Sequence, residues 1–156
     1  MLRDRVRVGV WIGLVAAAAS AGALVGFGWV RGMPLQPLNS VAHVVVGSRA
    51  FQVTAAHPLV TSAGVLVHVI SLVAWGILLS LILRRARRAH TWAIALAFAV
   101  VVAVIDFVVL PAGLSPGFET VLTRREVVVV YAVMGVAMGI AAGVSRTEDW
   151  RLRTED

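Results

Sequence analysis

Four long apolar runs dominate the sequence, and the charged residues stand almost entirely between them. The runs cover residues 8–30, 61–83, 91–110 and 127–144. As an α-helix, each run is long enough to cross the hydrocarbon core of a bilayer, which is about 30 Å thick. None of them alternates strictly between apolar and polar residues as a barrel strand does, so the pattern predicts four transmembrane helices.

These runs predict an all-α fold, an integral-membrane four-helix bundle that forms a single transmembrane domain over residues 1–156. Residues 31–60 then form a long outer loop between the first two spans, and residues 145–156 form a C-terminal tail. The connection between the second and third spans is so short that we expect these two helices to form a hairpin.

The outer loops contain residues that typically cap short helices. Asn39 and Ser40 precede the apolar stretch 41–46, which we expect them to cap. Thr123 and Glu126 have the spacing of a capping box at the start of the fourth span. We therefore predict that short helices in the outer loops cover one end of the bundle.

The composition agrees with a membrane protein. Of the 156 residues, 60% are hydrophobic and 14% are charged, whereas soluble domains have about 25% charged residues. A soluble domain of this size has too little interior to hide so much apolar side chain. The composition therefore excludes an ordinary soluble enzyme, and the partner that it indicates is the lipid bilayer.

Arginine supplies all 14 basic residues, and its placement predicts the orientation of the chain. Most arginines lie in segments that are cytoplasmic if both termini are inside: Arg3, Arg5, Arg7, Arg84, Arg85, Arg87, Arg88, Arg146, Arg151 and Arg153. The outer segments contain Arg31, Arg49, Arg124 and Arg125. The positive-inside rule therefore predicts a bacterial inner-membrane protein with cytoplasmic N- and C-termini. Because no basic surface interleaved with aromatic residues is evident, we expect no nucleic-acid partner.

The first run leaves two alternatives open. A charged segment, an apolar stretch and the tripeptide Ala19-Ser20-Ala21 have the order found in a cleaved signal peptide. The apolar run continues to Val30, however, which a cleaved signal does not need. This length favours an uncleaved first helix.

Small residues recur at four-residue spacing in three of the runs. The stripes are Gly9, Gly13, Ala17 and Ala21 in the first run, Ala95, Ala99 and Ala103 in the third, and Tyr131, Gly135, Gly139 and Gly143 in the fourth. In lipid, such stripes allow helix backbones to approach closely. They predict close packing, either within the chain or with a second copy or another membrane protein.

A few polar residues in or near the outer half of the bundle are the candidates for a functional site. His68 lies inside the second run and Asp106 inside the third, where polar groups are costly and commonly functional. The predicted cluster, which would hold a ligand or an ion, comprises Asn39, His43, His57, His68, Asp106, Glu119 and Glu126.

Three interpretations of this cluster remain open. In the first, Asp106 forms an ion pair that only locks helices together, and its partner is Arg124, Arg125 or His68. In the second, His43, His57 and His68 bind a transition metal together with Asp106 or Glu126, although the chain has no H-x3-H or H-E-x-x-H spacing. The candidate ligands in that set are His43, His68 and Asp106. In the third, His68 and Asp106 form a path for a proton or a ligand.

The sequence assigns no catalytic residue. It contains no P-loop and no G-x-G-x-x-G pattern. A bis-histidine haem site is not expected, since only His68 lies well within a span. Beyond the candidate transition metal, no cofactor is indicated.

Short motifs around the cluster resemble those of an uncharacterised family of small bacterial inner-membrane proteins with four predicted spans. The shared elements are Asn-x3-His from Asn39 to His43, Asp-x4-Pro from Asp106, and Pro-Gly-Phe-Glu ending at Glu119. The resemblance covers most of the chain in layout. It implies that these residues and His68 are worth testing, but it implies no reaction.

Together, these observations favour a non-enzymatic integral-membrane protein whose outer polar cluster binds a partner, a small ligand or an ion. One alternative is a metal-binding membrane enzyme or redox subunit. The other is a proton-coupled transporter.

Overall fold

The structure, a computed structural model, describes the backbone of residues 2–154 and the side chains of residues 3–145. It is 81% helical, and no strand occurs in the described part of the chain. Four of its helices are long and apolar enough to cross a membrane. The predicted all-α four-helix membrane bundle is confirmed.

The described part of the chain forms six α-helices: α1 (Leu2–Val30), α2 (Gln36–Val41), α3 (His43–Val46), α4 (Pro58–Leu83), α5 (Thr91–Val104) and α6 (Arg124–Thr154). Short turns of other helical types lie between them, with 3₁₀ geometry at Ser48–Gln52, Arg88–His90 and Phe118–Thr120 and π geometry at Ile105–Val109. The long helices α1, α4, α5 and α6 form the bundle, and α2 and α3 belong to the connection between α1 and α4.

The spanning helices begin within a few residues of the predicted apolar runs. The segments able to span are Arg3–Val30, Pro58–Leu83, Arg88–Val109 and Arg124–Ser145. α4 begins earlier than its apolar run because His57 caps it, and the His57 Nδ1 accepts the N–H of Val60 at 3.4 Å. Pro58 occupies the first turn, where its missing N–H is not needed.

The C-terminal end of the chain differs from the predicted tail. α6 continues through most of residues 145–156 and ends at Thr154. Residues 155–156 lie outside the described part of the chain, and so do the side chains of Arg146, Arg151 and Arg153. Their predicted cytoplasmic placement therefore stays a prediction.

α1 runs through the centre of the bundle. It packs along α4 on one side and along α6 on the other, and α5 packs along α6. α4 and α5 make few contacts with each other, although only a short loop joins them. The bundle therefore has a gap between α4 and α5.

Glycines bring the backbones of α1 and α4 into direct contact. A Cβ atom at Gly13 would lie 2.4 Å from the Cα of Val73, and one at Gly76 would lie 2.4 Å from the carbonyl oxygen of Gly9. Any larger residue at these positions would have to push the two backbones apart. The glycines therefore set the distance between α1 and α4, as the small-residue stripe of the first run predicts.

The stripe of α6 is also used inside the chain. Gly135 and Gly139 face α5, and a Cβ atom at Gly139 would lie 2.6 Å from the ring of Trp92. By contrast, a Cβ atom at Gly22 or Gly26 of α1 would have no described neighbour within 4 Å beyond its own helix. On α1, Gly9 and Gly13 thus make the close contact with α4, whereas Gly22 and Gly26 make no such contact.

Residues 31–57 and 110–123 form a cap over one end of the bundle. This confirms the prediction of short helices in these two loops, although the details differ. Asn39 and Ser40 lie inside α2, which begins earlier with Pro37 in its first turn, so the predicted capping role of these two residues is wrong. Both side chains are buried; that of Asn39 donates to the carbonyl oxygen of Val53, and that of Ser40 donates to the carbonyl oxygen of Pro37 within α2.

The two halves of the cap meet at Gly117. Its φ of 85° lies in the left-handed region that favours glycine. A Cβ atom at this position would lie 2.6 Å from both the Nδ1 of His43 and the carbonyl oxygen of Ser40. Glycine therefore allows the loop before α6 to pack directly on α2 and α3.

We predict that Gly13→Ala destabilises the protein by about 1–3 kcal/mol, the usual range for overpacking. The added methyl group has no room between α1 and α4, because it would meet the backbone of Val73. Gly22→Ala is the matched control on the same helix, and we expect it to be neutral or slightly stabilising, because alanine is the better helix former. Unfolding in mixed micelles of increasing denaturing-detergent content measures both variants. Equal stabilities would contradict the glycine contact.

Candidate functional site

Asp106 lies in a π-helical turn at the cap end of α5. The turn covers Ile105–Val109, and the N–H of Leu110 donates to the carbonyl oxygen of Ile105 at 2.9 Å. A π turn widens a helix locally by one residue and is often found at functional sites. The sequence pattern of the apolar run gives no sign of this turn.

The partner of Asp106 is the hydroxyl group of Tyr131. The Tyr131 Oη donates to Asp106 Oδ2 at 2.5 Å, which joins α5 to α6. A hydroxyl bond to a carboxylate is short and stronger than a neutral one. The predicted pairing of Asp106 with Arg124, Arg125 or His68 is wrong, because both arginines are exposed and His68 bonds to α1.

His68 joins α4 to α1. Its Nε2 lies 3.0 Å from the Oγ of Ser20 and 3.3 Å from the carbonyl oxygen of Ala17. The side chain is 6% exposed and Ser20 is fully buried. The close glycine contact between α1 and α4 brings the two side chains within hydrogen-bonding distance.

The surrounding hydrogen bonds identify the tautomer of neutral His68. The hydroxyl of Ser20 donates to the carbonyl oxygen of Ala16 at 2.7 Å, so its oxygen is an acceptor toward His68. The carbonyl oxygen of Ala17 is also an acceptor. The Nε2 of His68 must therefore carry the hydrogen, and Nδ1 then has a free lone pair.

His68 and Asp106 line the same cavity, between α4 and α5 beneath the cap. Its volume is about 310 Å³, near the lower end of the range for small-molecule sites. Tyr131, Ser20 and Trp75 also line it. Most of the remaining wall is apolar and includes Val67, Leu72, Val102, Val130 and Met134.

The rim of the cavity is exposed on the side of the bundle. Ser71 and Ala74 of α4 and Leu114 of the cap all line the cavity and are exposed. These residues lie in or next to the apolar part of the bundle. The cavity therefore opens sideways as well as beneath the cap.

Aromatic side chains hold Tyr131 in position. Its ring packs edge-on against Phe107 with 5.6 Å between centroids, and Phe118 lies 6.3 Å away. At the other end of the cavity, Trp75 makes an edge contact with Phe98 at 5.9 Å. These contacts give the cavity aromatic walls at both ends.

Asn39 and His57 have roles within the cap. The Nδ2 of Asn39 donates to the carbonyl oxygens of Val53 and Ala55 at 2.8 and 2.9 Å, and its Oδ1 accepts from Thr61 at 2.8 Å. His57 caps α4. The predicted site residues Asn39 and His57 thus fasten the segment before α4 and do not line the cavity.

His43 and Glu119 each have one bonded and one unbonded polar atom. The Nδ1 of His43 lies 2.9 Å from the carbonyl oxygen of Ser40, and its ring stacks on Phe51. Glu119 Oε1 accepts from the hydroxyl of Ser115 at 2.7 Å. Both His43 Nε2 and Glu119 Oε2 are buried without a hydrogen-bond partner among the described residues.

Glu126 forms an ion pair with Arg31, which ties the end of α1 to the start of α6. Glu126 Oε2 also accepts from the backbone N–H and the hydroxyl of Thr123 at 2.7 and 2.8 Å. The N–H of Glu126 donates in return to the Thr123 hydroxyl at 3.4 Å. The predicted capping box is therefore confirmed, and Glu126 contributes to the helix junction and not to the cavity.

Ser115 stands in a Gly-Leu-Ser-Pro-Gly segment, which has the G-x-S-x-G spacing of hydrolase nucleophile elbows. An elbow places the serine on a strand-to-helix turn next to a histidine base. Here the segment is a loop, and the hydroxyl donates to Glu119 and to the carbonyl oxygen of Ala112. The local structure is not that of an elbow.

The candidate metal ligands do not come together. Among the described residues, no three His, Asp or Glu side chains lie close enough to hold a metal ion. The set of His43, His68 and Asp106 is therefore divided between the cap and the cavity. Sequence reasoning missed Ser20 and Tyr131 as partners of the two polar residues, although Tyr131 is the single tyrosine of the chain.

Comparisons with family models, with curated proteins and with solved structures find no match for this chain. Membership in the family that the motifs resemble therefore stays a prediction.

We predict that Tyr131→Phe destabilises the protein by about 1–3 kcal/mol, because it leaves the partly buried Asp106 carboxylate without its donor. The aromatic ring and its contacts with Phe107 are retained in this variant. Ser145→Ala is the control, since it removes from α6 a hydroxyl that donates to the carbonyl oxygen of Ala141 on the same helix. Detergent unfolding of both variants tests the prediction, and an unchanged Tyr131→Phe variant would refute it.

Proposed function

We propose that this chain is a non-enzymatic protein of the bacterial inner membrane, with both termini in the cytoplasm, and that it binds a small amphipathic ligand in the cavity between α4 and α5. The observation that supports the proposal most directly is the cavity itself, which contains the side chains of His68 and Asp106. Both predicted site residues lie within spanning segments.

The lining of the cavity supports an amphipathic ligand. Small-molecule sites are mostly apolar and contain a few polar groups that orient the ligand. Here the polar groups of His68, Asp106 and Tyr131 lie toward the cap, and Trp75 lies about two helical turns deeper along α4. A ligand with one polar end and an apolar body matches this division.

The position of the rim supports entry from the bilayer. Ser71 and Ala74 are exposed on α4. Without an opening at this depth, the hydroxyl of Ser71 would face hydrocarbon, where polar groups are costly. A lipid-soluble ligand could thus reach the cavity through the gap between α4 and α5 without crossing the cap.

The distribution of arginine supports the orientation. The loop between α4 and α5 contains four arginines in five residues, 84–88, and the start of α1 adds Arg3, Arg5 and Arg7, whereas the opposite end of the bundle contains Arg31, Arg49, Arg124 and Arg125. By the positive-inside rule, the loop is cytoplasmic and the cap faces outward. The central position of α1, which supplies Ser20 to His68, supports an uncleaved first helix.

The orientation can be tested with single cysteines, because the chain contains none. We expect a membrane-impermeant maleimide to label Ser48→Cys in cells whose outer membrane has been permeabilised. Ala89→Cys should react only after the inner membrane is broken. Both positions are exposed, so access depends on the side of the membrane. The opposite labelling pattern would contradict the orientation.

Ligand binding can be tested by fluorescence quenching in lipid nanodiscs. The probe is octan-1-ol with bromine on its terminal carbon, since seven residues from His68 to Trp75 span about 10 Å of helix. We expect a saturable quenching component that disappears in Trp75→Phe. Val67→Phe, which fills part of the cavity, should weaken this component about tenfold, equivalent to about 1.4 kcal/mol.

The matched control for this experiment is Leu66→Phe. Leu66 precedes Val67 on α4, is 60% exposed and does not line the cavity. This variant should bind the probe as the wild type does. Quenching that never saturates, or that responds equally to both substitutions, would refute ligand binding in the cavity.

A further inference from the structure

His68 and Asp106 each offer a hydrogen-bond acceptor to a ligand in the cavity. Neutral His68 directs its Nε2 hydrogen to α1, which leaves the Nδ1 lone pair. Asp106 Oδ2 accepts from Tyr131, which leaves Oδ1. A ligand that complements both groups must therefore bring hydrogen-bond donors.

His68 points to a ligand independently of Asp106. Its side chain is 6% exposed and it lines the cavity. Among the described residues, Nδ1 has no hydrogen-bond partner, because both contacts of the ring use Nε2. This nitrogen can therefore accept a hydrogen bond from a donor on a ligand in the cavity.

The charged side chain that lines the cavity is a carboxylate, that of Asp106. No arginine lines the cavity. Arg31 is paired with Glu126, and Arg124 and Arg125 are exposed. In a low-dielectric site, the carboxylate of Asp106 is therefore hydrogen-bonded by Tyr131 but not balanced by a cationic side chain.

A second carboxylate lies nearby. Glu119 is within electrostatic range of both Asp106 and Tyr131, and its Oε2 is buried without a partner among the described residues. Trp75, Phe118 and Tyr131 line the cavity, and aromatic rings attract cations. Acceptors, negative charge and aromatic faces all favour the same kind of group.

We propose that the polar end of the ligand is an ammonium group, so that the cavity binds lipophilic primary amines in their protonated form. The ammonium group donates to Asp106 and His68, and the alkyl chain extends past the apolar wall toward Trp75. This inference rests on the proposed function, since it specifies the ligand class of the same cavity.

Three compounds of equal chain length test the charge. Octylammonium, octan-1-ol and octanoate are each added to wild-type protein in nanodiscs at neutral pH, with the brominated octanol already bound, and their amounts are expressed per lipid. We expect octylammonium to displace the probe at an amount about tenfold lower than octan-1-ol, because a hydrogen bond to a charged group is worth more than a neutral one. Octanoate should be the weakest competitor.

Asp106→Asn provides the second arm of the test. It removes the charge at nearly constant shape, so the advantage of octylammonium over octan-1-ol should be lost. Asp4→Asn is the matched control, because it removes a carboxylate from the opposite end of the bundle, and it should keep that advantage. The wild-type series does not depend on either variant.

The outcomes separate this inference from the proposed function. If octan-1-ol or octanoate displaces the probe as well as octylammonium does, the ammonium proposal is overturned while ligand binding in the cavity stands. If the probe shows no saturable quenching at all, both are overturned. Equal preference for octylammonium in Asp106→Asn and wild type would also overturn the role of Asp106.

Discussion

The backbone contact between α1 and α4 is the constraint on which the site depends. Gly9, Gly13 and Gly76 allow the two helices to touch without intervening side chains. At that separation Ser20 and the carbonyl oxygen of Ala17 reach the ring of His68. In hydrocarbon no water can replace these partners, so the packing of the glycines also decides which nitrogen of the histidine faces the cavity.

The same requirement explains the arrangement of α5 and α6. Asp106 would be costly against lipid, and the π turn places it where Tyr131 of α6 can donate to it. The edge contacts of Phe107 and Phe118 with the ring of Tyr131 fix the position of the donor. A local irregularity in one helix and a single hydroxyl on another thus allow a carboxylate to remain within a spanning segment.

The apolar pattern was sufficient to predict the spanning helices, because the bilayer imposes a minimum length and excludes polar side chains from most positions. The partners of the polar side chains are harder to predict from the sequence. Several residues can pair with Asp106 until the packing of the helices is known. Tyr131 stands in a stripe of small residues at four-residue spacing, and nothing in that pattern identifies its hydroxyl as the partner of Asp106. Polarity and position near the same end of the bundle do not distinguish Asn39, His57 and Glu126 from the residues of the cavity, but their hydrogen bonds join helix ends and the cap.

The cavity exists because His68 and Asp106 form their hydrogen bonds with different helices and not with each other. His68 forms a hydrogen bond with Ser20 of α1, and Asp106 accepts one from Tyr131 of α6. The helices α1 and α6 also pack against each other. The inner helices therefore use one polar atom of each residue, and both residues line the gap between α4 and α5. A direct contact between His68 and Asp106 would have closed that gap and satisfied both residues. Because each has its partner on an inner helix instead, the two residues line the gap without contacting each other.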